Sequence, residues 1–311
     1  MSAKFLKKID EARNLPYPVL ALGNFDGVHI GHQAILKKVV ERAAAVKGTS
    51  IAFTFEPHPI KVLFPDRPLE LLSSQEEKLG LIENRGIERI YVIDFTKEFS
   101  NQSPREFVKT FLVDGLKIRE VFVGSNYGFG KGRSGNVDSL RQYGEEFGFT
   151  VNVVTPVRLN GQIVSSSLIR KLLLEGSVDE VVPFLGRPYL LEGEVVEGEM
   201  RGRTLGYPTA NLLPGDKLIP KDGVYAVTVQ VGQNILPGIV YIGTQPTFQK
   251  SKRQIEVHLF DYSNKLYGEQ LKVYFYGKVR GEIKFPDKDS LVRQIEKDIM
   301  TAKNILKSIM C

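Results

Sequence analysis

The chain has 311 residues, 42% of them hydrophobic and 25% charged, and 42 Lys+Arg against 36 Asp+Glu leave a net charge of +6. These proportions exclude a collagen, a disordered tail and a small disulfide-stapled module, while the scattered basic residues read as solvated surface and not as a nucleic-acid patch. A single cysteine, Cys311, precludes an internal disulfide; the charged opening MSAKFLKKIDEARNLP lacks a secretory core, and no uncharged apolar run nears the roughly 18 residues of a membrane span, so the expected address is cytoplasmic.

The first half alternates short β-rich runs with helical patterns. Val19–Leu22 reads as a buried strand and the run around Ile35–Val40 as an amphipathic helix. Ile51–Phe55 is the next strand. Ser74, three residues before Glu77, opens a helix running towards Arg85. Ile90–Ile93 follows as a strand, and Ser103-Pro104-Arg105-Glu106 supplies an N-cap, a first-turn proline and a capping glutamate. Val121–Val123 and Val151–Val154 are two further strands around a helix at Val137–Phe147. This alternation predicts an α/β domain with a parallel sheet covered on both faces, which binds ligands at the carboxyl ends of its strands.

After Gly186 the pattern changes. Short runs at Tyr225–Val229, Ile255–Leu259 and Leu271–Phe275 alternate with Gly- and Pro-rich turns, as in a compact antiparallel barrel or sandwich. Asp289 and Ser290 are expected to cap a final helix with Leu291, Ile295, Ile299 and Ile305 on one face. The expected division is 1–185 and 186–311.

The most informative segment is GNFDGVHIGH, Gly23 to His32, placed where the first strand gives way to the first helix. A helix N-terminus offers unpaired N–H groups and positive dipole, so phosphate belongs there. Gly23, Gly27 and Gly31 permit tight turns and close approach of a ligand. His29 and His32, three apart, can face one bound anion and donate to its oxygens, adding positive charge if protonated. A bland alternative makes them backbone-satisfying turn residues; two of the chain's four histidines among three glycines at a sheet edge favour the site.

His29-Ile30-Gly31-His32 carries the HxGH signature of the nucleotidylyltransferase superfamily, shared with class I aminoacyl-tRNA synthetases. The wider NFDGVHIGHQ resembles the adenylyltransferase half of bacterial bifunctional riboflavin kinase/FAD synthetases. Phe55-Glu56-Pro57-His58-Pro59 is similar to that family's FxPHP flavin-side loop, Val123–Gly130 to its glycine-aromatic loop, and Val164–Arg170 to its SSTxIR motif. Asn126 stands where many members carry Asp, and Ser167 replaces the usual Thr.

The resemblance implies a Rossmann-like nucleotidylyltransferase domain that transfers AMP from ATP to FMN. His29, His32 and Arg170 then contact the reacting phosphates. Gly23, Asn24, Phe25, Asp26, Gly31, Ser166 and Ser167 surround the ATP, and His58, Phe107, Asn126 and Phe129 lie on the flavin side, although Phe107 reads equally as core.

The second informative segment is GEMRGRTLGYPTANL, Gly198 to Leu212. Gly206-Tyr207-Pro208 makes a stiff turn presenting Thr209 and Asn211, whose hydroxyl and amide suit a hard cation together with phosphates. On physics alone a surface hairpin with a Pro-stiffened turn is slightly favoured. It resembles the GFPTAN signature of riboflavin kinase, with Tyr207 for Phe, and Ile255–Asp261 and Leu266–Glu269 match that family's ExHLFDF and LYGE stretches.

This implies an antiparallel β-barrel with a terminal helix that phosphorylates riboflavin using ATP and Mg²⁺. Thr209 and Asn211 would hold the metal, Arg203, Gly206 and Pro208 the phosphates, and Glu256 would be the general base. Arg280 is a further flavin-side candidate, with a surface ion pair as its alternative. The implied partners are riboflavin, FMN and ATP, with flavoprotein apoenzymes as acceptors of FAD and neither nucleic acid nor membrane. Two rivals stand beside this reading: a single-activity adenylyltransferase with a flavin-sensing barrel, and an RNA-binding, synthetase-like protein.

Overall fold

The computed structural model describes residues 4–6, 15–66, 70–198, 205–245 and 252–310. By packing, the chain divides into two compact units, Met1–Ser166 and Ser167–Cys311.

The first unit is built on a six-stranded, all-parallel sheet of β1 (Lys4–Leu6), β2 (Pro18–Leu22), β3 (Thr49–Glu56), β4 (Arg89–Asp94), β5 (Glu120–Gly124) and β6 (Thr150–Val154). Their order is β1-β4-β3-β2-β5-β6. β2 and most of β3 are buried on both faces, which explains why their sequences are predominantly apolar and do not alternate. On one side, α1 (Ile30–Ala45) packs Ile35, Leu36, Val39 and Ala43 against the sheet, with Ile82 from α3 (Gln75–Glu83). On the other, Phe107, Leu112 and Leu140 join an aromatic-rich core with Phe53, Phe55, Phe95 and Phe129. These come from α5 (Pro104–Phe107), its π-helical continuation Val108–Gly115, and α6 (Val137–Phe147). Ser103 and Glu106 form the predicted reciprocal cap.

From β2 the chain builds β3 and β4 to one side, then crosses to build β5 and β6 on the other. The strand order therefore reverses between β2 and β5. Such a switch point opens a crevice at the carboxyl ends of those strands.

In the second unit, β9 (Tyr189–Val196), β10 (Ala210–Pro214), β11 (Gly223–Val231), β12 (Asn234–Gln245), β13 (Lys252–Leu259) and β14 (Gln270–Arg280) form a closed antiparallel barrel. The structure thus settles the choice of barrel over sandwich. Val227, Val229, Val240, Ile242, Val257, Val273 and Phe275 fill its interior. The last helix, α9 (Lys288–Met310), covers the outer face of β11, β12 and β14 through Ile299, Ala302, Ile305 and Leu306. Its cap is Asp287, earlier than expected: the Asp287 carboxylate accepts from Ser290 N at 2.7 Å, directly after Pro286.

The packing boundary differs from 185/186 by α7 (Ser166–Glu175) and α8 (Val178–Leu185). α8 lies on β14 and β9, and Lys221 N donates to the Leu173 carbonyl at 3.0 Å, so both helices group with the barrel.

Candidate functional site

The segment after β2 is held in an unusual backbone conformation. Phe25 and Val28 have φ of 52° and 37°, and both are fully buried. A β-branched residue at positive φ is strained and persists only when its surroundings over-determine it, a condition common at functional sites. Asp26 supplies part of that constraint. Its carboxylate accepts from Leu72 N (3.0 Å), Ser73 N (3.2 Å) and Ser73 Oγ, while Gly27 N donates to Ser73 Oγ at 3.0 Å. Its carbonyl accepts from Ser166 Oγ at 3.1 Å. Asp26 and Ser166 are therefore braces of the loop, and Thr54 Oγ1 braces Asn24 by donating to its carbonyl at 3.1 Å.

The two histidines meet. Their rings stack at 3.7 Å between centroids and 16° between planes. His29 is the N-cap of α1, its Nδ1 accepting from His32 N at 3.2 Å. That bond places the neutral ring's proton on Nε2, making Nε2 a donor. His32 packs edge-on against Phe25 at 5.4 Å, and its Nδ1 is buried with no hydrogen bond among the described residues. Burial, then the neighbouring His29, lowers the His32 pKa well below its ordinary value. Before any anion binds, His32 is thus a neutral hydrogen-bonding group, which narrows the expectation of a cationic pair. At Gly31 a Cβ would lie 3.0 Å from His29 Cε1, so any larger residue would press on that ring.

His58 is the buried N-cap of α2 (Pro59–Leu63), its Nδ1 accepting from Ile60 N at 3.2 Å. Asn126 is exposed beyond the end of β5, with its amide oxygen near Gly124, and its carbonyl accepts from Arg133 Nη2 at 3.3 Å. The Arg133 guanidinium lies over Gly128, a residue that the sequence pattern did not single out. Phe129 is clamped by paired backbone bonds to Gly135 and packs on Phe107 at 5.8 Å. Phe107, only 3% exposed and ringed by Phe53, Phe99 and Phe111, is a core residue. Of the Val164–Arg170 motif, Ser167 is exposed and Arg170 is half-buried within α7.

On the barrel, Thr209, Asn211 and Glu256 come together. Asn211 on β10 pairs directly across from Glu256 on β13, and Thr209 Oγ1 donates to Glu256 Oε2 at 3.2 Å. The period of two sends Thr209 and Asn211 to one face, as it does Glu256 and His258. His258 Nδ1 donates to the Pro208 carbonyl at 2.8 Å and meets Tyr207 edge-on at 5.7 Å, fixing the turn after Gly206. Gly206 itself has φ 87°. The Asn211 amide occupies the space over Gly198, where a Cβ would lie 2.0 Å from Nδ2. Arg203 lies outside the described residues.

Tyr241 on β12 faces Glu256 from the other side, and its hydroxyl donates to Glu282 at 3.1 Å. Burial, and then the Glu282, Glu256 and Asp222 carboxylates, push this phenol up to about 12. Neither Tyr241 nor Gly198 stood out from the sequence, because neither residue type advertises chemistry. Arg280 has another partner: its Nε donates to both oxygens of Asp298 on α9, at 3.0 and 2.8 Å. Asp298 is buried, its side chain 3% exposed, and Arg280 is 15% exposed, so the pair is largely shielded from solvent and braces the helix.

Comparisons with known proteins agree with both halves. Residues 12–168 match the family model for FAD synthetase and residues 185–306 that for riboflavin kinase. A bifunctional riboflavin kinase/FMN adenylyltransferase of Listeria monocytogenes is 39% identical over 284 residues, covering 90% of each chain. The proteins of the same description from Bacillus subtilis and Escherichia coli K12 are 37% and 35% identical, over 90% and 92% of this chain and 90% and 91% of theirs. A crystal structure described as a macrolide-efflux protein from Streptococcus pneumoniae superposes with a TM-score of 0.89 at 30% identity, covering 98% of this chain and 99% of that one. Among the described residues, no helix is long and apolar enough to cross a membrane. With both family models matched in order and full-length relatives on either side, the chain belongs to the bifunctional riboflavin kinase/FMN adenylyltransferase family.

Proposed function

We propose that this chain converts riboflavin to FMN on the barrel and FMN to FAD at the carboxyl edge of the parallel sheet, with ATP as donor in both steps. We assign adenylyl transfer to residues 1–185 and phosphoryl transfer to 186–311. The observation that carries the reading is the presence, in one chain, of the stacked His29–His32 pair at the start of α1 and the Thr209–Glu256 contact on the barrel.

In adenylyl transfer the FMN phosphate attacks the α-phosphorus of ATP and pyrophosphate departs. No protein nucleophile is needed, so the protein contributes position and charge stabilisation. His29 donates from Nε2, and His32 adds a second imidazole aligned by the stack. Gly23 and Gly31 allow close approach. Ser167 and Arg170 are assigned to phosphate oxygens, and His58, Asn126 and Phe129 to the flavin side, on their motifs; Phe107 backs Phe129 from the core.

In phosphoryl transfer Glu256 takes the proton from the ribityl hydroxyl as the γ-phosphoryl group arrives, with Thr209 Oγ1 orienting its carboxylate. Gly206 and Pro208 shape the phosphate turn, and Arg203 belongs to the same segment. The hydroxyl of Thr209 and the amide oxygen of Asn211, the latter seated over Gly198, are a donor set suited to Mg²⁺. The cation would neutralise phosphate charge there. Asn211 and Glu256 being direct cross-strand partners supports catalysis over a barrel that only senses flavin.

The test is to incubate the purified chain with riboflavin, ATP and Mg²⁺ and separate the flavins by chromatography. FMN followed by FAD is expected. FMN alone refutes the histidine site, and FAD only from supplied FMN refutes the barrel assignment.

A further inference from the structure

Lysine is seldom fully buried, because its ammonium loses hydration that only a partner restores. Lys78 on α3 is an exception, with a side chain 6% exposed. Its Nζ donates to the Phe55 carbonyl at 2.9 Å and lies 3.5 Å from the Glu56 carboxylate. Both partners end β3, just before the Pro57–Pro59 turn that carries His58. The residues leading into the same helix hold the other loop, since Leu72 N, Ser73 N and Ser73 Oγ all donate to Asp26. The segment Leu72–Lys78 therefore touches the histidine loop at one end and, at the other, the end of β3 from which the His58 turn departs.

We propose that Lys78 is a positioning residue for adenylyl transfer: its ammonium fixes the end of β3 so that the His58 turn is presented to FMN in register with the Gly23–His32 loop. This rests on the reading of that edge as the adenylyltransferase site. Burial lowers the Lys78 pKa, while the nearby Glu56 and Asp26 carboxylates oppose the shift. Glu56, 34% exposed, is the member of the pair that remains accessible.

A second ionic cluster supplies the contrast. Glu120, 5% exposed, accepts from Arg42, Tyr17 and Asn152, but it opens β5 at the opposite, amino-terminal edge of the sheet. The two clusters share chemistry and differ in place. If burial of an ion pair were the whole function of Lys78, the two would respond alike to mutation.

The experiment measures steady-state FAD formation from supplied FMN for the parent chain, Lys78→Met, Glu56→Gln and Arg42→Met, with FMN formation from riboflavin as the control in each preparation. Lys78→Met is expected to raise the KM for FMN about tenfold, the scale of one charged hydrogen bond. Its KM for ATP should stay within about twofold and its kinase rate unchanged. Arg42→Met should lower the melting temperature and leave both KM values alone. Should Lys78→Met fail to fold, Glu56→Gln carries the test, with a smaller rise in the KM for FMN alone. An unchanged KM for FMN, or equal rises for both substrates, overturns the proposal. A parent chain that forms no FAD from FMN removes the reading on which it rests.

Discussion

Gly198→Ala isolates the role of the Asn211 amide without touching a group that carries chemistry. The backbone at Gly198 is not in the left-handed region, so alanine is conformationally acceptable there. The obstacle is Asn211: the new Cβ would stand 2.0 Å from Nδ2 and 2.5 Å from Cγ. Ordinary carbon contacts begin at about 3.5 Å, so the amide must withdraw by roughly 1–1.5 Å or rotate away. A misplacement of about 1 Å in a positioned group costs on the order of 10²-fold in rate, or about 2.7 kcal/mol of barrier. We therefore expect FMN formation to fall by about two orders of magnitude and to need more Mg²⁺ for half-maximal rate. FAD formation from supplied FMN should be unaffected. Stability should change little, since Gly→Ala at a compatible position gains about 0.4–1 kcal/mol through the unfolded chain, against the local clash. The assay is the flavin chromatography described above, run from riboflavin and from FMN over a Mg²⁺ series. A variant that forms FMN at the parent rate with an unchanged Mg²⁺ dependence would refute the placement of Asn211 at the metal.

His29→Ala and His32→Ala should each reduce FAD formation by about 10²–10³ while FMN formation survives, as expected for loss of one preorganised donor; equal loss of both activities contradicts separate sites. Glu256→Gln should do the reverse, and FMN formation at the parent rate would rule it out as the base. Asp298→Ala strands the Arg280 guanidinium and should cost about 3–5 kcal/mol of stability, read from the denaturant midpoint; no shift would mean the pair is solvated. His32 has a folded pKa below its unfolded value of about 6.5, so the unfolded chain takes up the proton first and stability falls as pH drops below about 6.5. His32→Gln should flatten that part of the melting-temperature profile, and an unaltered slope counts against a buried neutral ring.

The fold was legible wherever local pattern and burial coincide. Val19–Leu22, Ile51–Phe55 and Val121–Val123 are apolar but for Thr54 because both faces of the sheet are covered, and each is a strand within two residues of its expected limits. Val137–Phe147 is a helix at its expected bounds, capped by Asn136 and closed by Gly148 in the left-handed region. β1 escaped notice because Lys4-Phe5-Leu6 sits in a charged segment and becomes a strand only by pairing with β4, a tertiary event. The packing of α7 and α8 with the barrel is tertiary too. Nothing in their sequences says against what they pack.

The site divides along the same line. Histidine three residues from histidine after a glycine, or threonine and asparagine two apart after a Gly-Tyr-Pro turn, constrains the backbone locally, so the pattern and the geometry express one requirement. Residues that hold the reacting groups in place carry no such mark. Gly198 is one glycine among 29 until Asn211 is folded over it. Lys78 is an ordinary helical lysine until Phe55 and Glu56 are brought beneath it. Cations are the hardest to read, because the role of a long, charged side chain is decided by whichever carboxylate neutralises it. Lys78 and Arg280 sit in equally unremarkable contexts along the chain, yet one is held at the carboxyl edge of the sheet and the other is drawn to Asp298 on α9. A motif therefore identifies the reacting groups with far more authority than it assigns the charges around them, and in this chain Lys78 and Arg280 are the residues whose substitution most directly measures that difference.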